Sequence, residues 1–216
     1  FVRFLKIGHD VEHMPVYLLL GIVLWNYFAE VTNGGVAAIV SKGDLIRKIN
    51  FPKYVIVLAG SLSALINLFI NLFVVGVFMA INKVPLMMSA LWVPLLVVEL
   101  FILAIGVAFL LSAVFVRLRD INYIWEVFMQ GLFYATPILY PITLLPSAAA
   151  KLLLLSPVAQ IIQDMRYALI THQTQTVGSV YGNEWMRLVP ILIVVILAFG
   201  SWKFFSARQD GFAEDI

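Results

Sequence analysis

The sequence predicts an all-α integral membrane protein with five membrane-spanning helices, a short cytoplasmic helix and two short re-entrant helices. Composition is the first reason, because 62% of the 216 residues are hydrophobic and only 12% are charged. A soluble domain has roughly 25% charged residues, since its surface has to be covered with polar groups. The second reason is that the apolar residues form runs of about 20 or more, the length that crosses a bilayer. We therefore expect residues 1–216 to form a single membrane domain.

The predicted spans are separated by short polar connections. The second has no charged residue, the third contains Glu99, and the fourth is broken by Pro137 and Pro141. The spans are Val16–Val40, Tyr54–Ile81, Leu86–Val116, a fourth that begins at Ile121, and Leu188 to about Phe205.

A proline-rich region lies between the fourth and the last span. Its two apolar pieces, Ala148–Leu155 and Val158–Ile170, are each too short to cross a bilayer. Proline removes a backbone donor and disfavours helix at the residue before it. The unpaired backbone groups that result are tolerated at membrane depth only where they are buried in protein or line a water-filled cavity. We interpret the pieces as two short re-entrant or interfacial helices. The prolines are Pro137, Pro141, Pro146 and Pro157.

Lysine and arginine predict the orientation of the chain, because positive residues accumulate in cytoplasmic connections. With five crossings, the connections after the first and third spans share one side with the C-terminal tail. These segments are therefore expected in the cytoplasm, and the first residues of the chain outside. Their positive residues are Lys42, Arg47, Lys48, Lys53, Arg117, Arg119, Lys203 and Arg208.

Several function classes lack support in the sequence. The net charge is only +2, so no basic field suggests nucleic acid. The absence of cysteine excludes disulfides, thiolate metal sites and cysteine nucleophiles. Neither a P-loop nor a G-x-S-x-G elbow occurs, so the sequence does not predict that this chain hydrolyses nucleotides or acts through a serine nucleophile.

One short motif suggests a metal site. The segment His9-Asp10-Val11-Glu12-His13 matches the H-x-x-E-H pattern, in which two histidines one helical turn apart bind zinc and the glutamate acts as base. However, Pro15 follows at once and no third ligand is placed convincingly, which favours a solvated charged loop. A membrane-embedded metalloenzyme using His9, Glu12 and His13 remains a remote alternative.

Polar side chains recur at helical spacing inside two spans. Ser63, Asn67 and Asn71 form one stripe, which we interpret mainly as hydrogen bonding between helices. The fourth span has a stripe of aromatic and polar residues, which favours a pathway because aromatic faces beside polar groups suit sugar rings. This second stripe consists of Tyr123, Glu126, Gln130 and Tyr134.

The first span also contributes candidate pathway residues. Glu30, like Glu99, is an ionisable group in apolar surroundings and should face a bundle interior, a partner or a cavity. Trp25, Tyr27 and Phe28 extend the predicted pathway surface, although an interfacial aromatic belt explains them almost as well.

The segment from Ser41 to Tyr54 is amphipathic and ends at Pro52. Sequence physics leaves two interpretations open: a helix lying on anionic lipid, or a helix that docks in a groove of a soluble partner. Its apolar residues are Leu45, Ile46, Ile49 and Phe51, and its charged residues are Asp44, Arg47, Lys48 and Lys53.

The chain as a whole resembles the membrane subunits of ABC-2-type exporters for surface polysaccharides, which include O-antigen, capsule and teichoic-acid (polyol phosphate) export permeases. The resemblance covers nearly the whole chain in the order of the family. It rests on the segments Leu24–Phe28, Asp44–Pro52, Val116–Ile121, Thr136–Pro141, Leu155–Val158 and Met165–Tyr167.

The resemblance implies roles for particular residues. The family has six spans and begins in the cytoplasm, so we expect this chain, which opens on Phe1, to be N-terminally incomplete. Aromatic residues of the spans resemble those lining the sugar path. The segment implied to couple to the ATPase contains Asp44, Leu45, Ile46, Arg47, Lys48, Ile49 and Phe51, and the implied outer gate contains Pro137, Tyr140, Pro141, Pro157 and Arg166.

The resemblance also implies partners. Two permeases and two ATPase subunits would form the working unit in the bacterial plasma (inner) membrane and move a lipid-linked polysaccharide. ATP and Mg²⁺ would bind to the ATPase, so this chain would be neither an enzyme nor a cofactor-binding protein. The partners are then the ATPase, a second copy, membrane lipid and the polysaccharide, with no nucleic acid. An ABC-2 exporter of a drug or lipid is the alternative, and the aromatic residues of the spans argue against it.

Overall fold

The structure is a computed structural model that describes residues 12–48 and 51–212, and all regular elements in these two ranges are helical. Short 3₁₀ turns connect several of the helices, including Val40–Lys42, Met88–Trp92 and Glu184–Arg187. The α-helices are α1 (Met14–Val36), α2 (Gly43–Lys48), α3 (Tyr54–Ile81), α4 (Val93–Phe115), α5 (Ile121–Ala135), α6 (Ser147–Leu154), α7 (Pro157–Leu169), α8 (Val177–Tyr181) and α9 (Leu188–Arg208).

Within the described residues, four helical segments are long and apolar enough to cross a bilayer, so the chain is a multi-pass membrane protein. They are Met14–Val36, Tyr54–Ile81, Met88–Phe115 and Glu184–Arg208, which confirms the first, second, third and last predicted spans. Their outer faces are apolar: Phe73 on α3, for example, is 75% exposed. Such surfaces are stable only against lipid or an apolar partner.

The fourth predicted span is shorter than the others. Helix α5 has 15 residues and is therefore about 22 Å long, less than the ~30 Å hydrocarbon core. It ends because Thr136 adopts an extended backbone conformation (ψ 136°) directly before Pro137. This is the expected effect of proline on the preceding residue.

Helix α4 lies at the centre of the bundle, where it packs against α1, α3, α7 and α9. Small residues allow two of these close approaches. Gly35 of α1 faces Ala108, and a Cβ atom added at Gly106 would lie 2.9 Å from Cα of Ala198 in α9. Small residues at helix contacts are typical of membrane bundles, where packing replaces the hydrophobic effect.

The described parts of the positively charged connections are gathered at one end of the bundle, which we call the basic end (residues 37–48, 51–54, 112–121 and 200–212). Contacts between aromatic rings bring these segments together. The ring centre of Trp202, near the end of α9, lies 5.5 Å from that of Tyr54 at the start of α3 and 5.3 Å from that of Phe109 in α4. Helices α4 and α9 therefore run parallel. The opposite end contains residues 82–92 and 136–187, and we call it the proline-rich end.

Two short helices occur at the proline-rich end where the sequence predicts them. Helices α6 and α7 each lie within one residue of the predicted segments. Pro157 lies in the first turn of α7. A backbone N–H at this position would have no carbonyl partner within the helix, so proline is tolerated there. Although α7 contains polar residues, Gln160, Gln163 and Arg166 are all buried against the bundle.

Candidate functional site

The predicted coupling segment forms a short helix that presents an exposed surface at the basic end. In α2, Ile46 is buried whereas Leu45 is 43% exposed. Asp44 lies in the first turn, where its charge suits the helix dipole. Lys48 is exposed and Phe51 packs partly against the core, whereas Ile49 and the side chain of Arg47 lie outside the described residues. The helix is thus anchored on one side and free on the other.

The polar stripe of α5 is exposed along its whole length. Tyr123 and Tyr134 are 70% and 73% exposed, and Glu126 and Gln130 lie between them on the same face. The side of α5 next to the stripe contacts α1, with Met129 buried and Phe133 packed on Trp25. An aromatic and hydrogen-bonding surface is therefore open to a ligand or to another chain.

The three aromatic candidates of α1 lie inside the bundle. Trp25, Tyr27 and Phe28 are at most 6% exposed. Trp25 contacts the ring of Phe28 at 5.9 Å and that of Phe133 at 5.6 Å. Trp25, supported by Phe28, therefore packs at the α1–α5 contact beside the exposed stripe.

Glu30 is exposed and links two helices. The Nδ2 group of Asn67 in α3 donates a hydrogen bond of 2.8 Å to Oε1 of Glu30 in α1. This bond agrees with the interpretation of Asn67 as a source of hydrogen bonds between helices. Ser63 and Asn71 instead donate to backbone carbonyls of α3 itself.

Arg166 is the most connected polar side chain of the predicted gate region. It is completely buried, and its guanidinium donates hydrogen bonds to three backbone carbonyls: those of Tyr17 at 3.1 Å, Pro137 at 2.6 Å and Ile138 at 2.7 Å. The guanidinium also lies 3.8 Å from the centre of the Tyr17 ring. Burial lowers the pKa of Arg166 to about 10, so the group stays charged at neutral pH. Arg166 thus joins α7 to α1 and to the segment after α5.

The remaining gate residues shape the turn after α5. Pro137 and Pro141 are buried, and Pro157 begins α7. The Tyr140 hydroxyl donates hydrogen bonds to the carbonyls of Tyr134 at 3.1 Å and Ala135 at 3.0 Å. These carbonyls belong to the last turn of α5, so Tyr140 closes a helix end that proline leaves without backbone donors.

The sequence of this chain matches the profile of a known protein family. The family profile described as "ABC-2 type transporter" matches residues 2–170, which is more than half of the chain. The chain belongs to the ABC-2 type transporter family. As an ABC-2 permease it is a transport subunit without a catalytic domain, and membership implies an ABC ATPase partner.

Several curated relatives of this permease are O-antigen export proteins. It is 26% identical over 212 residues to the O-antigen export system permease protein RfbA of Myxococcus xanthus, covering 96% of this chain and 78% of the relative. Two proteins of the same name from Klebsiella pneumoniae are 24% and 22% identical over 167 residues, which cover 77% of this chain. The matches span 64% of those two relatives, less than two thirds of their length.

The possible zinc motif of this permease is described only in part. Glu12 and His13 lie in the turn before α1, whereas His9 lies outside the described residues. Within 12–48 and 51–212, no group of three or more His, Cys, Asp or Glu side chains has the geometry to hold a metal ion.

Sequence reasoning singled out Arg166 but missed its partners in this permease. Tyr17 stacks on the guanidinium and donates a hydrogen bond of 3.1 Å to Oε1 of Gln163. Gly21, one turn after Tyr17, leaves the space that the guanidinium occupies, since a Cβ atom there would clash with Nη2 of Arg166. The Tyr–x₃–Gly spacing on one face of α1 is the signal that could have pointed to this site.

Proposed function

We propose that this chain is the transmembrane permease of an ATP-binding-cassette exporter that moves a lipid-linked surface polysaccharide across the bacterial plasma (inner) membrane. The polymer would be of the O-antigen, capsule or teichoic-acid type. The observation that carries the proposal is the 26% identity to an O-antigen export permease over 96% of this chain. The exposed aromatic and polar stripe of α5 supports a sugar substrate, because sugars combine apolar ring faces with hydroxyl groups.

The proposed working unit contains two copies of this chain and two ATPase subunits, which bind ATP and Mg²⁺. Helix α2 would dock on the ATPase through Asp44, Leu45 and the residues that follow. Its exposed Leu45 supports this role, since an apolar side chain on a short amphipathic helix suits a groove in a partner. ATP binding in the partner would move α2 and open the path.

The proposed topology has five crossings within residues 1–216, with the basic end in the cytoplasm. Helix α4 ends at the basic end and α9 starts at the proline-rich end, so the chain between them has to return across the bundle. Helix α5 begins directly after α4, so we assign this return to α5. The proline-rich end, with Arg166 at its centre, would then form the outer gate.

The proposal is tested by expressing the chain with an affinity tag in a strain that lacks its own O-antigen exporter. Co-purification in mild detergent and mass spectrometry should identify a stoichiometric ABC ATPase, and surface polysaccharide should appear when both subunits are present. A stoichiometric ATPase without surface polysaccharide, together with resistance to a toxic compound, would favour the drug or lipid exporter. Without any ATPase, the proposed working unit would be wrong.

A further inference from the structure

A cavity of about 650 Å³ lies at the proline-rich end between α4, α7 and the start of α9. Its volume is within the range of small-molecule sites, roughly 300–1,000 Å³. Its lining residues belong to one chain and include neither the α5 stripe nor α2. It therefore lies at the end that forms the proposed outer gate, away from the α5 stripe and from the proposed ATPase contact.

One wall of the cavity consists of hydrogen-bond acceptors. Gln160 is 1% exposed, and its Nε2 group donates a hydrogen bond of 2.8 Å to Oδ2 of Asp164. Among the described residues, Oε1 of Gln160, Oδ1 of Asp164 and Oε1 of Glu99 are buried without a hydrogen-bond partner. Leaving a buried acceptor unsatisfied is costly. This wall therefore fits a ligand that donates several hydrogen bonds.

The charges around the cavity favour a positive ligand. Glu99, Asp164 and Glu184 supply carboxylates, and Arg187 supplies the guanidinium. Arg187 is already engaged, because its Nε lies 3.1 Å from Oε2 of Glu184 and its Nη2 donates to Oγ1 of Thr176 at 3.0 Å. The charge of Arg187 also acts on Asp164, but the three carboxylates outnumber the one guanidinium. This excess of negative charge favours a cation that also donates hydrogen bonds, which is the chemistry of a primary ammonium group.

His172 and Tyr167 close another side of the cavity. A ring nitrogen of His172 lies 3.1 Å from the hydroxyl of Ser89, and its ring stacks on Tyr167 with 4.5 Å between centres. The aromatic face of Tyr167 adds a surface on which an ammonium group is favoured.

The rim of the cavity opens toward lipid. Trp92 and Trp185 are 63% and 76% exposed, and Leu95 and Leu188 are 57% and 53% exposed. These residues continue into the apolar outer faces of α4 and α9. Tryptophan is enriched where a membrane protein meets the lipid headgroups. A ligand reaching the acceptor wall from this side passes between apolar side chains, as a lipid does.

We propose that this cavity binds the headgroup of an ethanolamine phospholipid, with its ammonium group at Glu99, Gln160 and Asp164. The acyl chains would lie against Leu95, Leu188 and Ile191. A choline headgroup has the same charge, but its methyl groups leave no N–H to satisfy the three acceptors. The site therefore selects ethanolamine over choline lipids, which goes beyond the proposed export function.

The test compares palmitoyl-oleoyl phosphatidylethanolamine with the corresponding phosphatidylcholine. Each lipid is titrated into the delipidated full chain in detergent, and bound lipid is counted by native mass spectrometry. We expect roughly fivefold or greater preference for the ethanolamine lipid, because hydrogen bonds to charged groups distinguish the two headgroups. The substitutions Asp164→Asn and Gln160→Leu should each bring the preference toward equality. Asp120→Asn, an exposed carboxylate at the basic end, should leave it unchanged.

The preference is a ratio measured within one preparation, so partial loss of folded protein in a variant does not change it. Equal binding of the two lipids by the unsubstituted chain would overturn the proposal. A preference that survives both Asp164→Asn and Gln160→Leu would overturn it as well. Displacement of the ethanolamine lipid by millimolar glucosamine would instead assign the cavity to amino sugars, and the lipid assignment would be wrong.

Discussion

Arg166 shows how one residue compensates for a break in the backbone. Pro137 prevents α5 from continuing, so the carbonyls of Pro137 and Ile138 receive no helical donor. The guanidinium supplies donors to both, and these bonds, together with the Tyr17 ring, offset the cost of burying its charge. The proline-rich turn and the buried arginine are therefore two parts of one structural unit.

The close contact between Gly21 and the Arg166 guanidinium predicts the effect of adding a methyl group at position 21. Gly21→Ala places a Cβ against the Arg166 guanidinium, which is held by three carbonyls and cannot move freely. We expect the variant to lose about 1–3 kcal/mol of stability through overpacking. The measurement is thermal unfolding in detergent, followed by tryptophan fluorescence.

Gly34→Ala is the matched control on the same helix. Nothing lies within 4 Å of a Cβ atom added there, and alanine favours helix over glycine by roughly 1 kcal/mol. This variant should unfold at the same temperature as the original chain or slightly above it. If the two variants behave alike, Arg166 does not require the space at Gly21.

At the scale of the element, α2 is a short helix with one anchored and one free apolar residue. Leu45→Ala removes the exposed apolar side chain while Ile46 keeps the helix on the bundle. We expect reduced export and weaker ATPase co-purification, by roughly tenfold if Leu45 fills a groove in the partner. Surface polysaccharide and co-purified ATPase are the two quantities to measure.

Val55→Ala is the control for this experiment. Val55 lies at the start of α3 and is 42% exposed, close to the 43% of Leu45. It should keep normal export and normal ATPase binding. If both variants lose export and ATPase binding to the same extent, α2 does not dock on the ATPase through Leu45.

Helix α5 predicts a different phenotype, because its stripe is proposed to face the polymer. Gln130→Trp introduces bulk into the middle of the stripe, between Glu126 and Tyr134. Export should fall several-fold or more while the ATPase still co-purifies, since a blocked path leaves the assembly intact.

Ile124→Trp tests whether bulk alone explains the effect of Gln130→Trp. Ile124 is 61% exposed on α5, about a third of a turn away from the stripe. Export should continue in this variant. If Gln130→Trp also abolishes ATPase binding, the stripe is a packing surface and not a path.

At the scale of the whole molecule, the parallel course of α4 and α9 is the basis for the proposed number of crossings. Between Ser41 at the basic end and Ser147 at the proline-rich end, the chain passes through α3, α4 and α5. Three crossings place the two serines on opposite sides of the membrane. If α5 does not cross, they lie on the same side.

Because the sequence contains no cysteine, the number of crossings can be measured by introducing single cysteines and labelling them. In Ser147→Cys, the exposed thiol should react with an impermeant maleimide in cells whose outer membrane has been opened. In Ser41→Cys, which is equally exposed, labelling should require disruption of the plasma membrane. The reverse pattern would invert the proposed orientation, and identical patterns would contradict five crossings.

The positions of the helices could be predicted from the sequence because they depend on local properties. The length of an apolar run and the placement of prolines determine where a chain can cross a bilayer. The predicted second span coincides with α3, and the two short predicted helices lie within a residue of α6 and α7. The amphipathic pattern of residues 41–54 likewise located α2.

The sequence by itself therefore determined that this is a helical membrane protein, and it located four of the five predicted spans and the short exposed helix α2. Only the tertiary structure decided which side chains meet: Arg166 with Tyr17, 149 positions away, and Glu99 of α4 with Gln160 and Asp164 of α7. It also placed Trp25 inside the bundle. The physical reason is that a helix apolar on all sides has no periodic pattern to show which face is buried. The partners across such faces are selected by packing between distant segments.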